Sequence, residues 1–167
     1  LTSVVATGGT VEAGKWNRTN TGVAIVVPLV TSDASLDEGK VDILATVDAA
    51  NSFQNVLTNQ TITTAERQAG AKTINLSEAE MEGIANYADT KTINFTAKTY
   101  DKAGNSTTGP ATYKNLVVDI SAPYVEQVTS TNGTYRQGET VTIVLDWSEA
   151  VTITNSGTPT LTLNTTG

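Results

Sequence analysis

The chain has 167 residues and contains neither cysteine nor histidine, which excludes disulfides, thiolate nucleophiles, Cys/His zinc centres and an imidazole base. Ten Lys and Arg stand against 17 Asp and Glu, a net charge of −7 with an isoelectric point near 4.4. That balance lacks the basic face that nucleic acid or an anionic membrane requires, and no window approaches the ~18 apolar residues of a membrane span.

The length suits one ordinary domain with something left over, and a domain above ~100 residues buries an adequate core without disulfides. The sequence opens Leu-Thr-Ser-Val, with neither Met nor a basic-then-apolar leader, and reads as a piece cut or matured from something longer. Abundant threonine, few aromatics and few basic residues match the composition of many extracellular β-proteins of prokaryotes.

The periodicity is mostly two. Residues 22–27 are almost continuously apolar and predict a central strand. Residues 40–47 alternate, with Val41, Ile43, Ala45 and Val47 on one face. A short strand is expected at 72–76. Ser77-Glu-Ala-Glu80 is a capping box, and Met81, Ile84 and Ala85 follow at helical spacing, so a short connector helix is expected over about 78–87. Residues 91–100 place Ile93, Phe95, Ala97 and Thr99 on one side. They are expected to pair with 112–120 across the turn Asp101-Lys-Ala-Gly-Asn105, whose Gly and Asn suit positive φ. The expected fold class is all-β, a sandwich carrying one short helix.

A strand then runs out into Ser-Ala-Pro123, and another starts at 124–128. Val4, Thr7, Gly9, Thr10 and Gly14 match Val128, Thr131, Gly133, Thr134 and Gly138, and an apolar strand follows each copy, at 23–27 and at 141–145. This is an internal repeat at the spacing of one small domain. Residues 1–120 are expected to form one module and 121–167 the first part of a second, incomplete one. Truncation, an unseen remainder or strands supplied by another chain each account for the incompleteness.

Lys15-Trp-Asn-Arg-Thr-Asn-Thr-Gly22, Asp33-Ala-Ser-Leu-Asp-Glu-Gly39, Asp101-Lys-Ala-Gly-Asn-Ser-Thr107 and Val118-Asp-Ile-Ser-Ala-Pro123 resemble the bacterial Ig-like tandem repeats of giant extracellular adhesins and S-layer-like surface proteins. Tyr135-Arg-Gln-Gly138, Asp146-Trp-Ser-Glu-Ala-Val151 and Gly157-Thr-Pro-Thr-Leu-Thr-Leu-Asn164 are similar to a sister repeat of the same arrays, in which Phe is more usual than Trp147. The resemblance implies Ig-like β-sandwich modules and a structural or spacer role in a secreted or cell-surface protein, an adhesin stalk or surface-layer component. Its implied partners are neighbouring modules of the same polypeptide or neighbouring subunits. Two alternatives accompany it: a filament or S-layer subunit completed by strand donation, and a module that binds surface glycans.

In a tandem sandwich the loop after Val27 and the 101–105 turn share one end, which gathers Asp33, Asp37, Glu38, Asp101 and Asn105. At the junction with the second module, Asp119 is expected to meet Asp146 and Glu149. Carboxylate and amide oxygens in such number are what Ca²⁺ requires, so calcium is the expected cofactor; the plainer reading is solvated, turn-forming acids. No EF-hand loop is present.

Asn17, Asn59, Asn75, Asn94, Asn105, Asn132 and Asn164 each precede x-Ser/Thr, with Asn17, Asn59, Asn105 and Asn132 the candidates for glycosylation. The Thr-x-Thr run at 158–164 could form a flat threonine array, but β-propensity explains it more simply. Trp16 and Trp147 could be sugar platforms, but beside apolar strands both are expected in the core. No catalytic constellation is legible, and no enzymatic activity is expected.

Overall fold

Strands form where β-branched residues alternate with polar ones, and eleven of them occur among residues 1–48, 52–109 and 114–152, the parts that the computed structural model describes. The chain divides into two units, Leu1–Ser121 and Ala122–Gly167. In the first unit, β1 (Ser3–Thr7), β3 (Gly22–Pro28) and β6 (Ala71–Ser77) make a three-stranded sheet in the order β1-β3-β6. The second sheet takes β2 (Lys15–Asn17), β4 (Lys40–Val47), β5 (Gln54–Thr61), β7 (Thr92–Tyr100) and β9 (Lys114–Asp119) in the order β2-β9-β7-β4-β5, with β8 (Ser106–Thr108) also on β7. All pairs are antiparallel except β2 with β9, which is parallel.

Period two explains the packing. Val23, Ile25 and Val27 of β3 and Ile74 and Leu76 of β6 are buried. So are Val41, Ile43, Ala45 and Val47 of β4, Ile93, Phe95 and Ala97 of β7, and Leu116 and Val118 of β9. These side chains form one core between the two sheets, and each large one contributes about 1.5–3 kcal/mol by leaving water. The fold is therefore all-β and sandwich-like.

The amino-terminal segment serves both sheets. After β1 the chain crosses over and re-emerges as β2, which buries Trp16 to 1% exposure. Asn20, equally buried, pins the crossing: its amide donates to Gly8 O (2.8 Å) and Thr10 O (3.1 Å) and accepts from Asn17 N (2.7 Å). Gly9 must be glycine, because it holds φ +57° and an added Cβ would sit 2.1 Å from the Thr19 carbonyl oxygen.

Strand direction defines two ends. β9 is antiparallel to β7 and β7 to β4, so β4 and β9 run the same way. β4 starts at a proximal end, where Leu1 and the 29–39 loop lie, β9 starts midway along β7, and both finish at a distal end, where β9 runs out to Ser121.

Several expectations are corrected. The connector helix does not extend over 78–87: α2 spans Glu78–Glu82, with the Ser77 capping box in place, and ends at Gly83. Asn86 then turns left-handed (φ 65°), and Tyr87 is drawn aside so that Trp16 Nε1 donates to its hydroxyl at 2.9 Å. Met81 and Ile84 are buried as the helical spacing implies, while Ala85, beyond the break, is exposed. A second helix, α1 (Thr64–Ala69), follows its own capping box, Thr63 with Glu66, and stops at left-handed Gly70. The 101–105 turn joins β7 to β8 rather than directly to a strand over 112–120: β8 pairs with Lys98–Tyr100, and β9 pairs with the other half of β7, from Thr92 to Phe95. Residues 112 and 113 lie outside the described residues.

In the second unit, β10 (Val125–Ser130) pairs antiparallel with β11 (Ile143–Trp147). The repeat seen in the sequence has a counterpart in conformation. Val4 pairs with Ile25 and Val128 with Leu145, and the intervening loops each contain a left-handed glycine, Gly14 (φ 76°) and Gly138 (φ 92°). Trp147, expected in a core, is 38% exposed, since its neighbours among the described residues of this unit are only a two-stranded ribbon. The Thr-x-Thr run at 158–164 and Asn164 lie outside the described residues.

Phe95→Ala opens a cavity between the sheets and should lower the unfolding free energy by about 3–5 kcal/mol, whereas Val117→Ala on the solvent face should change it by less than about 0.5 kcal/mol. Urea denaturation of the two variants checks this.

Candidate functional site

Charge-bearing side chains gather in a cleft of about 330 Å³ at the proximal end of the first unit, lined by Glu38, Lys40, Asp42, Asn59, Tyr100 and the 101–104 turn. Three strand ends create it: Lys40 opens β4, and its neighbours across the sheet are Tyr100 of β7 and Thr61 of β5.

Asp42 is the centre of the cleft. Alternation puts it on the solvent face, yet it is only 8% exposed. Its Oδ1 accepts from Asn59 N at 2.7 Å and its Oδ2 from the Tyr100 hydroxyl at 3.0 Å. The β4–β5 register shifts here, and Asn59 adopts left-handed φ 59°, so a carboxylate replaces a carbonyl as the acceptor for one strand N–H. Lys40 donates to Asn59 Oδ1 at 3.3 Å, and Lys98 lies 4.9 Å above the Tyr100 ring.

The surrounding loop is drawn onto this cleft. Lys102 N donates to Ser35 O at 3.0 Å, and Lys102 Nζ pairs with Glu38, so the 29–39 loop meets the 101–105 turn as the sequence reading expected. Behind it, Arg67 of α1 grips Asp37 with two bonds, Nε to Oδ1 at 2.6 Å and Nη2 to Oδ2 at 3.2 Å, and also donates to Thr31 O. That fork geometry is specific to guanidinium. Lys72 holds Glu66, the capping residue of α1, at 2.7 Å.

Each first-unit acid singled out from the sequence has a defined neighbour. Asp33 caps a 3-10 turn over Ala34–Leu36, accepting from Ser35 N and Oγ. Asp37 takes Arg67, Glu38 takes Lys102, and Asp101 accepts from Asn105 N and Nδ2, both at 2.8 Å. Asp119, on β9, is bonded to Lys15 Nζ at 2.7 Å. Asp146 lies on β11 of the second unit opposite Gln127, and Glu149 follows that strand. Among the described residues, no three acidic side chains converge as a metal-ligand set. Among the sequon residues, Asn59, Asn75, Asn105 and Asn132 are exposed. Asn17 is tied to Thr10 and Thr19, and Asn94 to Asp48.

Hydrogen bonding from Arg67 holds the Asp37 carboxyl below the ordinary carboxylate range, and Asn105 does the same for Asp101. The Glu38 hydrogen bond raises Lys102. Among the described residues, every buried side-chain polar atom has a partner. A saturated arrangement of this kind holds a loop, a turn and a helix onto one end of a sandwich.

Sequence reasoning passed over Asp42, Arg67 and Lys102. Asp42 sits at an ordinary solvent-face position of an alternating strand, and only the register to Asn59 and Tyr100 distinguishes it. The Thr63–Glu66 capping box, by contrast, was available as a pointer to α1 and hence to Arg67.

No protein-family model, no curated protein and no solved structure matches this chain.

Because the Asp37 carboxyl titrates below its unfolded value, its contribution to stability is present above about pH 4 and is lost as pH falls through its lower folded value. Asp37→Asn should therefore lower the melting midpoint at pH 7, and the gap to the parent should close under acid conditions. Thermal melts across pH 2–7 check this.

Proposed function

We propose that the chain is a segment of a repeat protein in which sandwich modules of the Ig-like type act as spacers at a cell surface or in a secreted polypeptide. The observation that carries this reading is the repeated opening of the two units: a strand, a loop with a left-handed glycine, and an antiparallel return strand. Strand order supports the Ig-like assignment, since β1-β3-β6 faces β2-β9-β7-β4-β5 and the first segment contributes to both sheets. The opposed ends of the first unit suit a module threaded into an array.

A second reading, assembly by strand donation, is favoured by one observation on the second unit. Val125, Val128, Leu145 and Trp147 of its ribbon are all 38–56% exposed. An apolar ribbon of this kind accepts further strands. Sedimentation velocity over a wide concentration range separates the two: assembly gives concentration-dependent polymers, the spacer reading a constant species.

The calcium expected from the sequence stays part of this proposal at the residues first named for it: the 29–39 loop, with Asp33, Asp37 and Glu38, meets the 101–105 turn, with Asp101 and Asn105, at the proximal end. A site of about 0.1 mM affinity raises the melting midpoint by about 10 °C in ~10 mM calcium relative to EDTA. An unmoved midpoint leaves the ion pairs alone to close that end.

The spacer reading makes the first unit autonomous. Residues 1–121 produced alone should unfold in one cooperative transition at the midpoint they show in the full chain. Calorimetry of both checks this, and a first unit that cannot fold without residues 122–167 would overturn the reading.

A further inference from the structure

The repeated opening of the two units differs at a position with chemical consequences. Aligned on Val4 with Val128 and on Gly9 with Gly133, the first copy has Gly8 where the second has Asn132. Asn132-Gly133 is the one Asn-Gly pair in the chain.

The first copy has no room for an asparagine at this place. Gly8 holds φ +75°, and an added Cβ would sit 2.1 Å from Thr21 Oγ1. The same corner is closed by Asn20, which donates to Gly8 O at 2.8 Å, and by Thr19, whose Oγ1 accepts from Thr10 N at 2.9 Å. These partners all come from residues 15–21, between Gly14 and β3. In the second copy only residues 139–142 lie between Gly138 and β11, and the corner is open. Asn132 and Gly133 are both exposed. The three atoms nearest to a Cβ added at Gly133 all belong to Tyr135, at 3.6–3.7 Å, an ordinary contact distance. Among the described residues, neither the Asn132 side chain nor the Gly133 N–H makes a hydrogen bond.

An asparagine Cγ is an electrophile that the next backbone nitrogen can reach, closing a five-membered ring. A side chain on the next residue crowds that nitrogen, and glycine has none. Hydrogen bonds to either group oppose the reaction, and other asparagines carry them. Asn105 donates Nδ2 to Asp101 at 2.8 Å, and its successor Ser106 is already paired in β8. Asn20 is buried and its amide donates twice. Asn17 is tied to Thr10 and Thr19.

We propose that Asn132-Gly133 is a self-modifying site, at which the asparagine loses ammonia and becomes chiefly isoaspartate. Water or hydroxide takes the proton of Gly133 N, and the nitrogen bonds to Asn132 Cγ. The Cγ–Nδ2 bond then breaks, and the amide nitrogen regains a proton from water and leaves as ammonia. Water opens the resulting succinimide. Addition at Cγ breaks the bond from Cγ to the ring nitrogen and gives aspartate. Addition at the main-chain carbonyl breaks the other ring C–N bond and gives isoaspartate, with the main chain routed through Cγ. Either product adds a negative charge. The second also lengthens the main chain by one methylene between Thr131 and Tyr135, the two residues that the Tyr135 hydroxyl joins by donating to Thr131 O. The inference does not depend on the spacer reading. It competes with glycosylation of the sequon Asn132-Gly-Thr134, because both use the same amide nitrogen.

The test is incubation of the full chain near neutral pH at about 37 °C, followed by intact mass, peptide mapping and enzymatic methylation of isoaspartyl groups. Each converted chain should gain about 1 Da, located at residue 132, with isoaspartate the larger product. The rate should rise from pH 7 to pH 9, because the attacking nitrogen must lose its proton. Gly133→Ala adds only a Cβ, for which the structure has room, and should slow conversion about tenfold. Asn105 is the internal reference and should persist over the same period.

Conversion of Asn132 no faster than that of Asn105 would overturn the proposal. So would conversion that yields no isoaspartate, or that Gly133→Ala leaves unchanged, because the ring closure through Gly133 N would then play no part. A glycan on Asn132 in chain taken from its native source would also overturn it, since the leaving nitrogen would be blocked.

Discussion

Neither sheet of the first unit can exist alone in water. Val23, Ile25 and Val27 give one an apolar face, and Val41, Ile43, Ile93, Phe95 and Leu116 give the other its counterpart. Burying those faces against each other is the constraint on which the rest depends. It sets the face that each strand turns inward, because every strand must bury its apolar side. It leaves two open ends, which loops and short helices must close. It also makes the crossing of the amino-terminal segment worthwhile, since that crossing places Trp16 in the core and supplies a parallel partner for β9.

The two ends are closed by different means. At the proximal end, charge does the work: Arg67 on Asp37, Lys102 on Glu38 and Lys72 on Glu66 tie a loop, a turn and α1 together. At the distal end, α2 lays Met81 into the core, and Asp89 and Lys15 secure the outgoing chain. Most of these ion pairs are partly exposed, and such pairs stabilise weakly when taken singly. Their value lies in geometry, because each fixes a segment that has few apolar contacts of its own. The acidic composition is then understandable in part: in this unit several carboxylates act as local acceptors for backbone N–H groups, as Asp33, Asp42, Asp48, Asp89 and Asp101 do.

How much could be read in advance followed the strength of the local signal. β3, β4, β6 and β7 were legible because a buried face imposes alternation on the residues themselves. The Ser77 capping box was legible for the same kind of reason, its bonds being made within four residues. The helix end was misjudged, because Gly83 and the pull of Trp16 on Tyr87 act where spacing alone still permits a helix. β5 escaped notice, being an edge strand rich in Gln, Asn and Thr with only Val56 and Leu57 partly packed on the core. The candidate site was half legible. The meeting of the 29–39 loop with the 101–105 turn followed from sandwich geometry, but Asp42, Arg67 and Lys102 carry no mark that sets them apart from other charged residues.

The sequence by itself determined the all-β class, the inward faces of the main strands, the internal repeat and the Ser77 helix cap. Each of these depends on residues close together in the chain, or on a period that any long strand must obey. Only the tertiary structure decided the sheet to which each strand belongs, the crossing of the first segment, the pairing of Asp42 with Tyr100, and the hold of Asp89 and Lys15 on the last strand. Those contacts join residues 31 to 104 positions apart. Their selection depends on register across sheets, and a shift of one residue in register would turn every one of these side chains to the other face.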